Sequence, residues 1–158
     1  MLLVIGYGNS LRSDDGFGPA VIEALRPWCQ NHPAIELMVV HQLLPELAEV
    51  LSQAEMIFFV DAAFDMAGGG ISCRAVSVEQ ADETSSALAH SFSPSRLLSL
   101  SLAAYGKCPP AFIYTVGALN LGVGEKLSAV LAAAVPEAAG MIQGRLKAEI
   151  ERMTASAG

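Results

Sequence analysis

No stretch of the 158 residues approaches the roughly 18 consecutive apolar positions that a membrane-spanning helix needs, although 53% of them are hydrophobic and the mean hydropathy is +0.45. The expectation is a globular chain with ample core material and no membrane partner. Cysteine is sparse: Cys29, Cys73 and Cys108 are an odd number without C-x-x-C spacing. That excludes a disulfide framework or a thiolate zinc site and leaves core or surface thiols. Basic residues are few, 9 Lys and Arg against 16 Asp and Glu for a net charge of -7. With no basic cluster, a polyanion meets repulsion instead of counterion release, so nucleic acid is not an expected partner. The start, Met1-Leu2-Leu3-Val4-Ile5-Gly6, has neither a basic n-region nor a small-residue cleavage site. The expectation is a chain that enters structure at once and works in the cytoplasm. No linker, repeat or low-complexity tract interrupts it, which predicts a single domain over residues 1–158.

What is present alternates between strand-like and helix-like segments. Residues 2–7 are a nearly continuous apolar run, as in a strand covered on both faces. After a polar, glycine-rich stretch at 8–18, Phe17, Val21, Ala24 and Leu25 recur at helical spacing, with Pro19 near the helix start and Pro27 expected to end it. Residues 35–40 predict a second strand. Pro45 opens a short helix carrying Leu44, Leu47 and Leu51 on one face. Residues 56–60 predict a third strand, ending at Asp61. Gly68-Gly69-Gly70 is a turn signal before residues 71–78, whose weaker alternation suggests an edge strand of either direction. Ser93-Pro94 reads as N-cap and first residue of a helix through about Tyr105, closed by Gly106. A fifth strand at 111–116 follows, and the remainder is helical, with a short stripe at Leu127, Val130 and Leu131 and a longer one at Ile142, Leu146, Ile150 and Met153. The pattern predicts an α/β fold: a single three-layer domain with a mostly parallel five-stranded sheet and helices on both faces.

Ligands of open α/β sheets sit beyond the carboxyl ends of the strands. Those ends carry residues 9–16, His41-Gln42 and Asp61. The first loop, from Gly6 to Gly18, invites a dinucleotide reading, because glycine after a first strand can admit a phosphate to a helix N-terminus. The detail is against it. The third glycine of G-x-G-x-x-G falls at Leu11, there is no Walker lysine, and Asp14-Asp15 place negative charge where phosphate would sit. One Asp before a helix is explained as an N-cap in the field of the helix dipole; the second is left over. Asp61, at the end of a buried run, is either a site residue or a cap. His90, just ahead of Ser93-Pro94, taken singly reads as a solvent-facing imidazole.

Together these residues resemble the hydrogenase maturation endopeptidases. The matching stretches are Gly6-x-Gly8-Asn9-x-Leu11-x-x-Asp14-Asp15-Gly16-x-Gly18, Pro45-Glu46-Leu47, Phe59-Val60-Asp61-Ala62 and His90-x-x-Ser93-Pro94-x-x-Leu97-Leu98, with a looser match at Gly124-Glu125-Lys126-Leu127-Ser128. The resemblance spans most of the chain, and the first stretch is its specific part. It implies that Asp15, Asp61 and His90 are catalytic, as ligands of nickel that the substrate already carries. The implied substrate is a nickel-loaded precursor of a nickel-iron hydrogenase large subunit, whose C-terminal extension is cut off. It also implies a monomer with no organic cofactor. Two carboxylates and an imidazole suit a divalent ion with open positions, and the absence of thiolate fits modest affinity. Some relatives have Glu where Asp15 stands, a difference of about one C–C bond, roughly 1.5 Å. Others have a glycine-rich stretch in place of His41-Gln42. Asp14 is open between helix cap and general base. Serine catalysis finds no G-x-S-x-G elbow, and the cysteines have no paired histidine motif. Two other readings stand beside this one: a nickel-binding maturation chaperone that cuts nothing, and a small-molecule or nucleotide-binding module.

Overall fold

A computed structural model describes residues 1–78 and 92–156. Its elements run in chain order as β1 (Leu2–Tyr7), α1 (Phe17–Cys29), β2 (Ile35–Val40), α2 (Leu47–Gln53), β3 (Met56–Gly68), β4 (Ile71–Val76), α3 (Pro94–Tyr105), β5 (Ala111–Gly117) and α4 (Ala129–Ser156). The sheet has five strands in the order β2-β1-β3-β5-β4. All neighbours are parallel except β4, which runs antiparallel to β5 and settles the direction that its sequence left open. This is the mostly parallel α/β architecture that the apolar runs predict.

The central strands bury both faces, which is why they read as continuous apolar runs and not as alternation. On one face Leu2, Val4, Phe58 and Val60 meet Val21, Ile22 and Leu25 of α1 and Ile142 and Leu146 of α4. On the other, Leu3, Ile5, Ile57 and Phe59 meet Leu51 of α2 and Leu97 and Leu98 of α3. Each such side chain contributes roughly 1.5–3 kcal/mol by leaving water. Helix α3 has the termini its sequence announces. The Ser93 hydroxyl accepts from the Arg96 backbone N–H at 3.1 Å, Pro94 stands first, and Gly106 closes the helix at φ 68°.

Three expectations change. Pro27 does not end α1 but lies inside it, just as Pro136 lies inside α4, which is one helix from Ala129 to Ser156. Both prolines are exposed, as are Glu23 and Ala132 four residues earlier. The carbonyls that the prolines leave without a donor therefore face water, and the helices continue. Helix α2 begins at Leu47 and not at Pro45, and Leu43 is the buried leucine where Leu44 is exposed. Strand β3 does not end at Asp61 but runs on to Gly68, because β5 pairs with it through Asp61↔Thr115 and Ala63↔Gly117 before the register shifts.

Candidate functional site

Strand β2 lies on one side of β1 and β3 on the other, so the chain changes direction across the sheet between β1 and β3. Loops leaving the carboxyl ends of two such strands diverge, and a crevice opens between them. A cleft of about 400 Å³ occupies that place; its walls include Tyr7, Gly8, Asp15, His41, Asp61, Phe64 and Phe92. Pairing between β1 and β3 ends at Gly6↔Val60, so Asp61 is the first β3 residue beyond that pairing.

The glycines of the first loop place Asp15. Gly8 has φ +137°, and a Cβ there would collide with the Asp15 carbonyl oxygen. A Cβ on Gly18 would stand 2.5 Å from the Val60 carbonyl oxygen and 2.7 Å from that of Tyr7. Only glycine lets the start of α1 lie this close on β1 and β3. The Asn9 backbone N–H donates to Asp15 Oδ2 at 2.6 Å. That amide is one a phosphate cradle would need, so the loop is built around a carboxylate, and the nucleotide reading loses its binding element. Asp15 Oδ1 has no hydrogen-bond partner among the described residues, and Asp15 lines the cleft.

Asp14 does not cap α1, whose N-cap is Gly16. Asp14 is 0% exposed. Its Oδ2 accepts from the backbone N–H groups of Leu119 (2.9 Å) and Asn120 (2.8 Å), and its Oδ1 from that of Ser128 (2.7 Å). Burial by itself would raise its pKa; the amides of Ser128, Asn120 and Leu119 outweigh that and hold it below the ordinary carboxylate value. Asp14 thus ties the first loop to the segment between β5 and α4. The backbone bonds of Ser13 and Leu11 with Gly124, at 2.7 and 2.9 Å, do the same.

Asp61 is in the opposite state. Burial pushes its pKa up from 3.8 to about 7, and the Asp15 charge adds to this. Hydrogen bonds from the Tyr7 hydroxyl and the Ala62 backbone N–H oppose the rise. The Tyr7 hydroxyl is in turn raised well above its usual range, by burial first and then by the Asp61 charge. A carboxyl so poised favours its ionised form as soon as a cation comes near. The two carboxylates fit the chemistry of a divalent-ion site.

The structure therefore brings Asp15 and Asp61 to one cleft. His90 lies outside the described residues. Among the described residues no three His, Cys, Asp or Glu side chains form a metal-holding group. Phe92, Ser93 and Pro94 line the cleft, as do His41 and Gln42 at the end of β2. Sequence reasoning missed Tyr7 and Phe64. Tyr7 carried a signal, a polar tip on the last residue of an apolar strand. Phe64, 76% exposed, carried none, because the irregularity in β3 that presents it is a matter of pairing with β5.

By sequence, the chain matches no protein-family model and no curated protein. Solved structures match it over nearly their whole length. The nickel-iron hydrogenase maturation protease HycI of Thermococcus kodakarensis superposes with a TM-score of 0.74 over 92% of each chain at 19% identity. The chain has the fold of the hydrogenase maturation proteases. The hydrogenase maturating endopeptidase HybD of E. coli gives a TM-score of 0.71 at 21% identity over 94% of this chain and 93% of its own. A hydrogenase 2 maturation peptidase from a Thaumarchaeota archaeon gives 0.69 at 22% identity, over 92% and 97%. The maturation-protease fold is thus shared over 92–94% of this chain. At these identities the common ground is the fold.

Proposed function

We propose that the chain is a cytoplasmic endopeptidase that removes the C-terminal extension of a nickel-iron hydrogenase large-subunit precursor after nickel insertion. The observation that carries this reading is the meeting of Asp15 and Asp61 in one cleft, on a fold shared with proteins described as hydrogenase maturation proteases. Nickel arrives as part of the substrate. Asp15 offers the oxygen that Asn9 does not occupy, Asp61 ionises as the cation approaches, and Tyr7 orients it through the hydroxyl hydrogen bond. His90 is assigned as the third contact on the strength of the motif His90-x-x-Ser93-Pro94. A divalent ion held beside a peptide bond polarises its carbonyl.

The test is to mix the protein with nickel-loaded and nickel-free large-subunit precursor and to weigh the products. Loss of a C-terminal peptide from the loaded form alone is the expected result. Binding of the loaded form without any loss of mass would make the protein a nickel-binding chaperone instead.

A further inference from the structure

The cleft can be approached along the edge of the sheet. Strand β2 stands at the edge of the sheet and pairs only with β1 among the described residues. The Leu2 N–H bonds the Ala34 carbonyl at 2.7 Å and the Gly8 N–H bonds that of Val40 at 3.2 Å, which directs the even-numbered residues of β2 toward β1. In a parallel ladder the alternate residues then turn their N–H and C=O groups the other way. These are Leu37 and Val39, and no hydrogen bond reaches their main chain from the open side among the described residues. Edge strands are commonly blunted by lysine, proline or a bulge. β2, with the sequence IELMVV and an unbroken register of six pairs, has none of these.

Beside this edge lie two apolar hollows, one on each face. Val39, 45% exposed, lines a hollow of about 310 Å³ together with Pro19 and Ala20 at the start of α1. Val40, the next residue and on the opposite face, lines one of about 420 Å³ with Leu44 and Leu47. Successive side chains of an extended peptide point to opposite faces, so a strand laid along β2 would place neighbouring side chains into the two hollows in turn. His41 and Gln42 follow directly, and they line both the second hollow and the cleft that holds Asp15 and Asp61. The track ends at the site.

We propose that the substrate docks by β-augmentation: an extended segment beside the bond to be cut adds to the open edge of β2, pairs with Leu37 and Val39, and is thereby led to Asp15 and Asp61. The first hollow is bordered by Glu125 and by Glu23, whose charge Arg26 pairs at 2.7 Å, and the second by Glu46; each carries one acid unpaired among the described residues, so the segment that fits is apolar at adjacent positions and free of acidic side chains there. The proposal rests on the proteolytic reading above and names the part of the molecule that recognises the substrate.

A Val39→Pro variant tests it, because proline removes a donor from the open edge and none from the β1 ladder. With nickel-loaded precursor as substrate, KM should rise about tenfold or more with kcat within about twofold of wild type, and with unchanged circular dichroism. An unchanged KM in a folded variant overturns the proposal. Amide hydrogen exchange on the wild-type protein decides the matter if the variant does not fold. Nickel-loaded precursor should protect the Leu37 and Val39 amides, and exchange at both left unaffected by a loaded precursor that the protein processes overturns docking on this edge. Failure of the wild-type protein to cut loaded precursor is a different outcome: it removes the proteolytic reading itself, and this proposal with it.

Discussion

Asp14 and Asp15 are neighbours in sequence and do different work, because the short turn at residues 13–16 points one carboxylate inward and the other toward the cleft. Asp14 faces three amides, so Asp14→Asn sets a side-chain donor against a backbone donor. It should lower the unfolding free energy by about 2–4 kcal/mol at neutral pH, measured by urea denaturation. The pKa of Asp14 is lowered on folding, so the stability it contributes is present above the ordinary carboxylate value and lost as pH falls through the folded one. The variant should therefore differ least from wild type in strong acid. Asp61 has the opposite sign. Between 3.8 and about 7 its carboxyl ionises in the unfolded chain but keeps its proton in the fold. Stability from this group is thus greatest below 3.8 and declines as pH rises to about 7. Asp61→Asn should stabilise the protein by on the order of 2 kcal/mol at pH 8 and leave it unchanged near pH 3. Equal effects at both pH values would contradict the buried, proton-holding state.

Among the elements, the loop from β1 to α1 shows how a motif becomes geometry. Its glycines read first as a phosphate signature, yet Gly8 makes room for the Asp15 backbone and Gly18 for the carbonyls of Tyr7 and Val60. Gly8→Ala places a Cβ on the Asp15 carbonyl at a backbone angle that alanine rarely adopts. It should cost about 2–4 kcal/mol in thermal or urea unfolding. A stability equal to wild type would mean that Asp15 is not held by this contact. The elements that the sequence announced are those with local causes: the apolar runs of β1, β3 and β5, and the Ser93-Pro94 and Gly106 boundaries of α3. Those it concealed have tertiary causes. Residues 62–68, Ala-Ala-Phe-Asp-Met-Ala-Gly, contain no β-branched side chain and belong to the strand through β5, which pairs with Ala62, Ala63 and, across a shift in register, Gly68. Pro27 looks like a break until the exposure of Glu23, whose carbonyl it frees, is known.

On the scale of the whole molecule, the location of the site was more legible than its contents. Alternating strands and helices were enough to direct attention to the carboxyl ends of the strands, and Asp15, Asp61 and His41 do line one cleft there. The separate role of Asp14 was not legible, since its partners Leu119, Asn120 and Ser128 lie more than a hundred residues away. His90 is placed by motif alone. The two-carboxylate cleft supports the proposed metal carried by the substrate, and the net charge of -7 favours a cationic centre over a polyanion. The most direct measurement is the intact mass of nickel-loaded large-subunit precursor after incubation with wild-type protein and with folded Asp15→Asn. The account predicts loss of a C-terminal peptide with the wild type and an unchanged precursor with the variant; processing by the variant at the wild-type rate would contradict it.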